Sequence, residues 1–211
     1  MWDVFAAAAS LAFVSPAEPQ TVPGDIAVTC ELHVWPGSGL NSIYSGWFHG
    51  GIVNGAVTGR DGYPAIPAEP IDTANQVVLL KESQPNIILQ QQSSRVIFHD
   101  AALPSRTIRT ATTRIDPSSA PCYAEFIVDD AFFQQDIVDG SFLKILFRYR
   151  EFGTDAAPRK AFGTWVKTKL VLLPPKPGTD VEAAASELRS AFSNNVKLFA
   201  AALLKPAKKK S

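Results

Sequence analysis

Three histidines, His33, His49 and His99, are the side chains here best suited to acid–base or metal chemistry near neutral pH, and His99 is followed directly by Asp100. Their spacing matches no zinc signature. On its strand His33 takes the parity of Thr29 and Glu31, the polar side, so it reads as a solvated or hydrogen-bonded imidazole rather than a ligand. Asp129, Asp130, Asp136 and Asp139 gather around a turn without the alternation of a calcium loop, and read as turn formers. No metal and no cofactor is expected. A small hydrolase-like or metal-dependent enzyme near His33, His49 and His99 stands as the alternative. It requires that the histidines converge, with His33 and His99 sharing a cleft with Asp100.

Nucleophilic catalysis lacks its usual frame. There is no Gly-x-Ser-x-Gly elbow, since Ser38 in Pro36-Gly37-Ser38-Gly39 lacks the first glycine, and without that serine the esterase-like His49-Gly50-Gly51 has nothing to serve. Ser141 and Lys144 match Ser-x-x-Lys in letters, but they sit at a strand start, where that chemistry uses a helix. Gly46, Gly50 and Gly51 do not give the spacing of a phosphate-cradling loop. No catalytic residue is assigned.

Binding chemistry is better represented. Lys144, Arg148 and Arg150 share one side of a strand and Lys167 and Lys169 alternate on the next, so a hairpin register that keeps the parities together makes one cationic strip. The competing reading is that Glu125 and Asp129, on the preceding strand, neutralise it through cross-strand pairs. A second candidate surface lies between Trp35 and Tyr63, where Tyr44, Trp47 and His49 mix with glycines in a stretch that reads as neither helix nor regular strand. Twenty basic and twenty acidic side chains leave no broad positive field, which argues against a nucleic-acid partner. The expected partner is a protein or small ligand.

The elements that position these residues read as an α+β domain over 18–204 with a mainly antiparallel sheet. A first strand runs from Ile26 to Trp35 and stops at Pro36-Gly37. Asp72 and Thr73 can cap a short helix over Val77 to Leu80 that ends at Pro85, and Arg95 to Asp100 reads as a brief strand. The polar run Pro104 to Ser119 reads as a loop with room for one edge strand. Cys122–Asp129, Phe142–Phe152 and Phe162–Leu173 are strand-like runs joined by short turns, a three-strand meander. Apolar residues at helical spacing from Val181 to Leu203 predict a long closing helix over Asp180–Leu204, which packs on the sheet and is followed by a basic tail, 205–211.

The two cysteines and the N-terminus bear on location. Val4 to Val14 is an apolar run too short to span a bilayer, and Ser15 and Ala17 suit a signal-peptidase site. Residues 1–17 thus read as a signal peptide, without the usual basic start, and no membrane span is expected in the mature chain. The alternative is an N-terminal helix on a cytoplasmic protein. Cys30 and Cys122 both fall on the apolar parity of their strands. On adjacent strands of an exported protein they would pair, closing a loop worth about 4 to 5 kcal/mol; otherwise they are two buried thiols.

The order first strand, helix, short strand, meander and long helix over Ile26 to Leu204 resembles that of bacterial envelope accessory proteins of the curli-secretion-subunit and penicillin-binding-protein-activator type. The resemblance lies in layout and carries over no site residue. It implies an exported, non-enzymatic protein, periplasmic or secreted, that acts by binding.

Overall fold

The computed structural model describes residues 30–44, 66–136 and 138–206. The signal-peptide reading of 1–17, most of the basic tail, and Trp47 and His49 lie outside them. Six strands, β1 (Cys30–Trp35), β2 (Leu40–Tyr44), β3 (Ser94–Phe98), β4 (Tyr123–Asp136), β5 (Gly140–Phe152) and β6 (Pro158–Leu170), form one sheet. Four helices accompany them: α1 (Thr73–Glu82), α2 (Pro85–Ile88), α3 (Ser105–Thr110) and α4 (Val181–Leu203).

The α+β class holds, but the sheet is mixed, which corrects the expectation of a mainly antiparallel one. Its order is β3-β1-β4-β5-β6, with β1 parallel to both β3 and β4, and β2 also parallel to β4. The cause is connection length. The path from β1 to β3 carries α1 and α2, and the path from β3 to β4 carries α3, so each strand re-enters in the same direction. β4, β5 and β6 are joined by short turns, and they pair antiparallel as read from the sequence. The run Pro104 to Ser119, read as a loop with room for one edge strand, contains a helix, α3.

β1 and β2 lie end to end along the same side of β4. The break falls where β4 bulges between Val128 and Asp130. Gly37 fits this break because a Cβ there would stand 3.0 Å from Val128 Cγ1, and its N–H donates to the buried Gln76 Oε1 at 2.8 Å. Gly39 follows at φ +110°, where a side chain would be strained.

α4 starts at Asp180, whose carboxylate accepts the N–H groups of Glu182 and Ala183. It lays Leu188, Phe192, Val196, Phe199 and Leu203 on the front of the sheet against Phe126, Phe147 and Tyr149. Phe199 is central, with ring centroids 5.5 Å from Phe126, 5.3 Å from Phe147 and 5.6 Å from Phe162. The fully buried Asn195 is satisfied, donating to Leu143 O and accepting from Thr168 Oγ1. Truncating such a centre removes both apolar transfer and aromatic contacts. Phe199→Ala should therefore cost about 3–5 kcal/mol in urea unfolding, whereas Leu198→Ala, on the 40% exposed side, should cost under about 1 kcal/mol.

Candidate functional site

The back of the sheet carries the chemistry. Parallel pairing sets His33 beside Ile97 and Val34 beside Phe98, and the ladder runs one residue further, with the His99 N–H donating to Val34 O at 2.9 Å. His33 Nδ1 and His99 Nε2 thereby come within 3.0 Å. Trp35 stacks on the His99 ring at a centroid distance of 4.1 Å and 6° between planes, and the Tyr123 ring lies 4.6 Å from that of His33. The third member is Asp116, from the segment after α3. One carboxylate oxygen and one nitrogen of each histidine all lie within 4.8 Å of one another. Asp116, not Asp100, completes the cluster.

His33 is 2% exposed, so of the two readings, solvated or hydrogen-bonded, the hydrogen-bonded one holds. Its parity was read correctly as opposite to Leu32 and Val34, but the segment between β3 and β4 covers that side. Trp35, Ile108 and Ile127 form a second apolar cluster there, joined by Leu103 and Ile115.

Glu31, two residues before His33, accepts from Ser118 Oγ, from Arg95 Nη2 at 2.6 Å and from His33 Nε2 at 3.2 Å. The Ser118 hydroxyl, with Arg95 and His33 behind it, holds the Glu31 carboxyl at about 2 against the opposing effect of burial. Burial, reinforced by the charge of His33, holds His99 below the ordinary imidazole value. Ser118 is no activated nucleophile in this arrangement. In a triad the imidazole stands between serine and carboxylate, whereas here Glu31 stands between Ser118 and His33.

Beside this cluster lies a fully buried carboxylate. Glu125 accepts from Arg150 Nε at 2.6 Å, from the Ile115 N–H at 2.8 Å and from the Tyr123 hydroxyl at 3.0 Å. Arg150 Nη1 also donates to Ala111 O at 2.6 Å, and Tyr123 accepts from the Asp116 N–H. Burial first, then Glu125, pushes the Tyr123 phenol well above its usual range, so it stays a donor.

The five cations read as one strip share a face but divide into two groups. Arg150 belongs to Glu125, and Arg148 donates to Asp129 Oδ2 at 2.6 Å, the cross-strand neutralisation that was the competing reading. Lys144, Lys167 and Lys169 lie beyond them and make no ion pair among the described residues. Lys144 sits opposite Lys167, with its Nζ 5.0 Å from the Trp165 ring centroid, and Lys167 Nζ is 4.3 Å from that of Phe142. Trp165 is 41% exposed. Of the second predicted surface, Trp35 is buried in the histidine cluster, and Tyr44 ends β2 opposite Gln135.

Sequence reasoning missed Asp116, Ser118 and Tyr123 as neighbours of His33. Asp116 and Ser118 sit in an aperiodic polar run, and no spacing signal connects that run to β1. A cleft of about 500 Å³ between α1 and α4, lined by Asn75, Glu82, Arg189, Asn194 and Lys197 among others, holds none of the candidate residues.

No family model matches the chain, and no curated protein matches it in sequence. Several solved structures are similar in outline, three of them as follows. A Xanthomonas campestris protein of the DUF330 family has TM-score 0.40 and 10% identity, covering 85% of this chain and 86% of that one. PelC of Paraburkholderia phytofirmans, solved as a dodecamer, has TM-score 0.30 and 8% identity, covering 83% and 91%. The lipoprotein GNA1162 of Neisseria meningitidis has TM-score 0.30 and 9% identity, covering 79% and 97%. TM-scores this low assign the chain neither a family nor a function.

Removing one partner of a buried pair leaves the other charge stranded. Arg150→Met should cost about 3–5 kcal/mol in denaturant unfolding, against under about 1 kcal/mol for Arg189→Met at the exposed pair with Glu182. Equal small losses in both variants would show that Glu125 is not held by Arg150.

Proposed function

We propose that the protein is an exported, non-enzymatic component of the bacterial envelope, periplasmic or secreted, that acts by binding an acidic segment of a partner protein. The observation that carries the export reading is the disulfide between Cys30 and Cys122. It joins the start of β1 to the residue before β4, two parallel neighbours, with Cα atoms 4.7 Å apart and a separation of 92 residues. A bond of this kind persists in oxidising compartments and constrains the unfolded chain by about 4.6 kcal/mol on the loop-entropy model. Cleavage after Ala17 leaves both cysteines in the mature protein.

What supports the binding reading is the end of the back face that no described segment covers. Two like charges directly opposite on neighbouring strands are destabilising, and Lys144 and Lys167 are so placed without an acid to relieve them among the described residues. With Lys169 and the half-exposed Trp165 they present cations held over aromatic rings, a surface that carboxylates complete. Against the enzyme alternative stand the burial of His33 and the order of Ser118, Glu31 and His33. In its favour stands the contact of His33 with His99.

Two experiments test the proposal. N-terminal sequencing of the native protein, with thiol titration under denaturing, non-reducing conditions, should return a mature start at Glu18 and no free thiol. An intact Met1 with two titratable thiols sinks export. Titration with a polyglutamate peptide at low salt should change Trp165 fluorescence saturably, with the change suppressed by salt and lost in Lys144→Glu/Lys167→Glu or Trp165→Phe. An unresponsive wild-type protein refutes the acidic-partner reading.

A further inference from the structure

We propose that His33, His99 and Asp116 form a binding site for a divalent transition metal of the zinc class, with Glu31 as the group that orients His33. The site is independent of the lysine surface, and its test stands apart from that of the function proposed above.

The proton bookkeeping on His33 comes first. Glu31 accepts from Ser118 Oγ and Arg95 Nη2, so it meets His33 as an acceptor, and Nε2 of His33 carries the N–H. Nδ1 is then a bare lone pair, and it faces Nε2 of His99 at 3.0 Å. Without an ion, His99 must place its own proton between the two nitrogens. With an ion there, the lone pairs of both rings bind it and the His99 proton moves to Nδ1 of the same ring, so no proton need leave the protein at that step. A carboxylate that fixes the tautomer of a ligating histidine through its far nitrogen is the usual outer shell of a zinc site.

The geometry suits the ion. Zinc–nitrogen bonds of about 2.0–2.1 Å at a tetrahedral angle put two nitrogens about 3.3 Å apart, within a few tenths of an ångström of the observed contact. The Asp116 oxygen lies within 4.8 Å of both nitrogens, a gap that side-chain rotation would close. Its backbone is already anchored, the N–H donating to Tyr123 and the C=O accepting from Ser118 N. Among the described residues its carboxylate makes no hydrogen bond. Both rings are fixed: His33 lies within β1, and His99 is held by its ladder bond to Val34 and by the stacked Trp35. Two nitrogens and one oxygen leave a fourth position for water. Imidazole favours zinc-class ions over calcium and magnesium, which take oxygen ligands. The ion would tie together β1, the end of β3 and the segment that covers them.

The test uses the full chain with its disulfide intact, treated with chelator and titrated with zinc chloride by calorimetry at neutral pH. One ion per chain is expected. Glu31→Gln should weaken binding 10- to 100-fold, Asp116→Asn at least tenfold, and His99→Gln should abolish it, while Glu182→Gln, at an exposed position on α4, leaves it unchanged. Cobalt in place of zinc should give the visible ligand-field bands of a four-coordinate ion, and Asp116→Asn should alter them. Should His99→Gln fail to fold, the cobalt spectrum and Asp116→Asn, at a half-buried loop residue, still decide the matter. Calcium and magnesium chloride should give no heat of binding. The proposal is overturned if the folded, chelated protein takes up no zinc, if binding survives His99→Gln, or if it is lost in Glu182→Gln. In that event the two histidines are a part-buried hydrogen-bonded pair.

Discussion

A carboxylate buried to zero exposure in the middle of a sheet must be met by donors, because the desolvation of an unanswered charge costs more than most single interactions return. Glu125 is met from three directions: Arg150 across the β4–β5 ladder, Tyr123 two residues back on its own strand, and the Ile115 N–H from the covering segment. Each donor belongs to a different part of the molecule. Satisfying one side chain therefore holds Arg150 in its β5 register, sets where the 99–121 segment crosses the sheet, and orients the Tyr123 hydroxyl. That hydroxyl in turn receives the Asp116 N–H, and Arg150 reaches Ala111 at the end of α3. The histidine cluster inherits its third member from this network.

The bulge in β4 marks where the back face changes character. Before it, Ala124, Phe126 and Val128 face α4; after it Ala131 and Phe133 do, so the parity shifts by one residue. The shift leaves Asp129 to pair with Arg148 on the covered side and turns Phe132 outward against Trp165, 5.5 Å between centroids. On one side of the bulge Arg148 and Arg150 each meet an acid. On the other, Lys144 and Lys167 rest on aromatic rings and make no ion pair among the described residues.

How much of this was legible in the sequence follows from the range of the signals. α4 and the meander are written in local periodicity and short turns; α4 was readable to within a residue at each end, and the meander in its order, although β4 runs past the expected end at Asp129 to Asp136. The parallel half was not, because β1 pairs with strands some 60 and 90 residues away and no local pattern names a distant partner. His33 shows the same limit on a single residue. Its parity was right, but parity says which side a residue takes and not whether that side is wet. For Arg148 and Arg150, alternation on the neighbouring strand already offered Asp129 and Glu125 as partners. For Asp116 nothing did, since a loop that covers a sheet has no period.

The parallel topology itself decides where both candidate surfaces fall. β3 and β4 run in the same direction as β1, so after Phe98 the chain must return the length of the sheet before Tyr123 can enter. The front is already occupied by α4 and α1, and the return path therefore runs over the back, across β1, β4 and the start of the β5 pairing. It buries His33, Trp35 and Glu125 and delivers Asp116 beside the histidines. β5 and β6 need no such path, because hairpins join them to β4 directly. Among the described residues no segment crosses their share of the back face, and Lys144, Lys167 and Trp165 stand on it. A fully antiparallel sheet would have required no return segment, and the same residues of β1 would have faced solvent without an Asp116 to meet them.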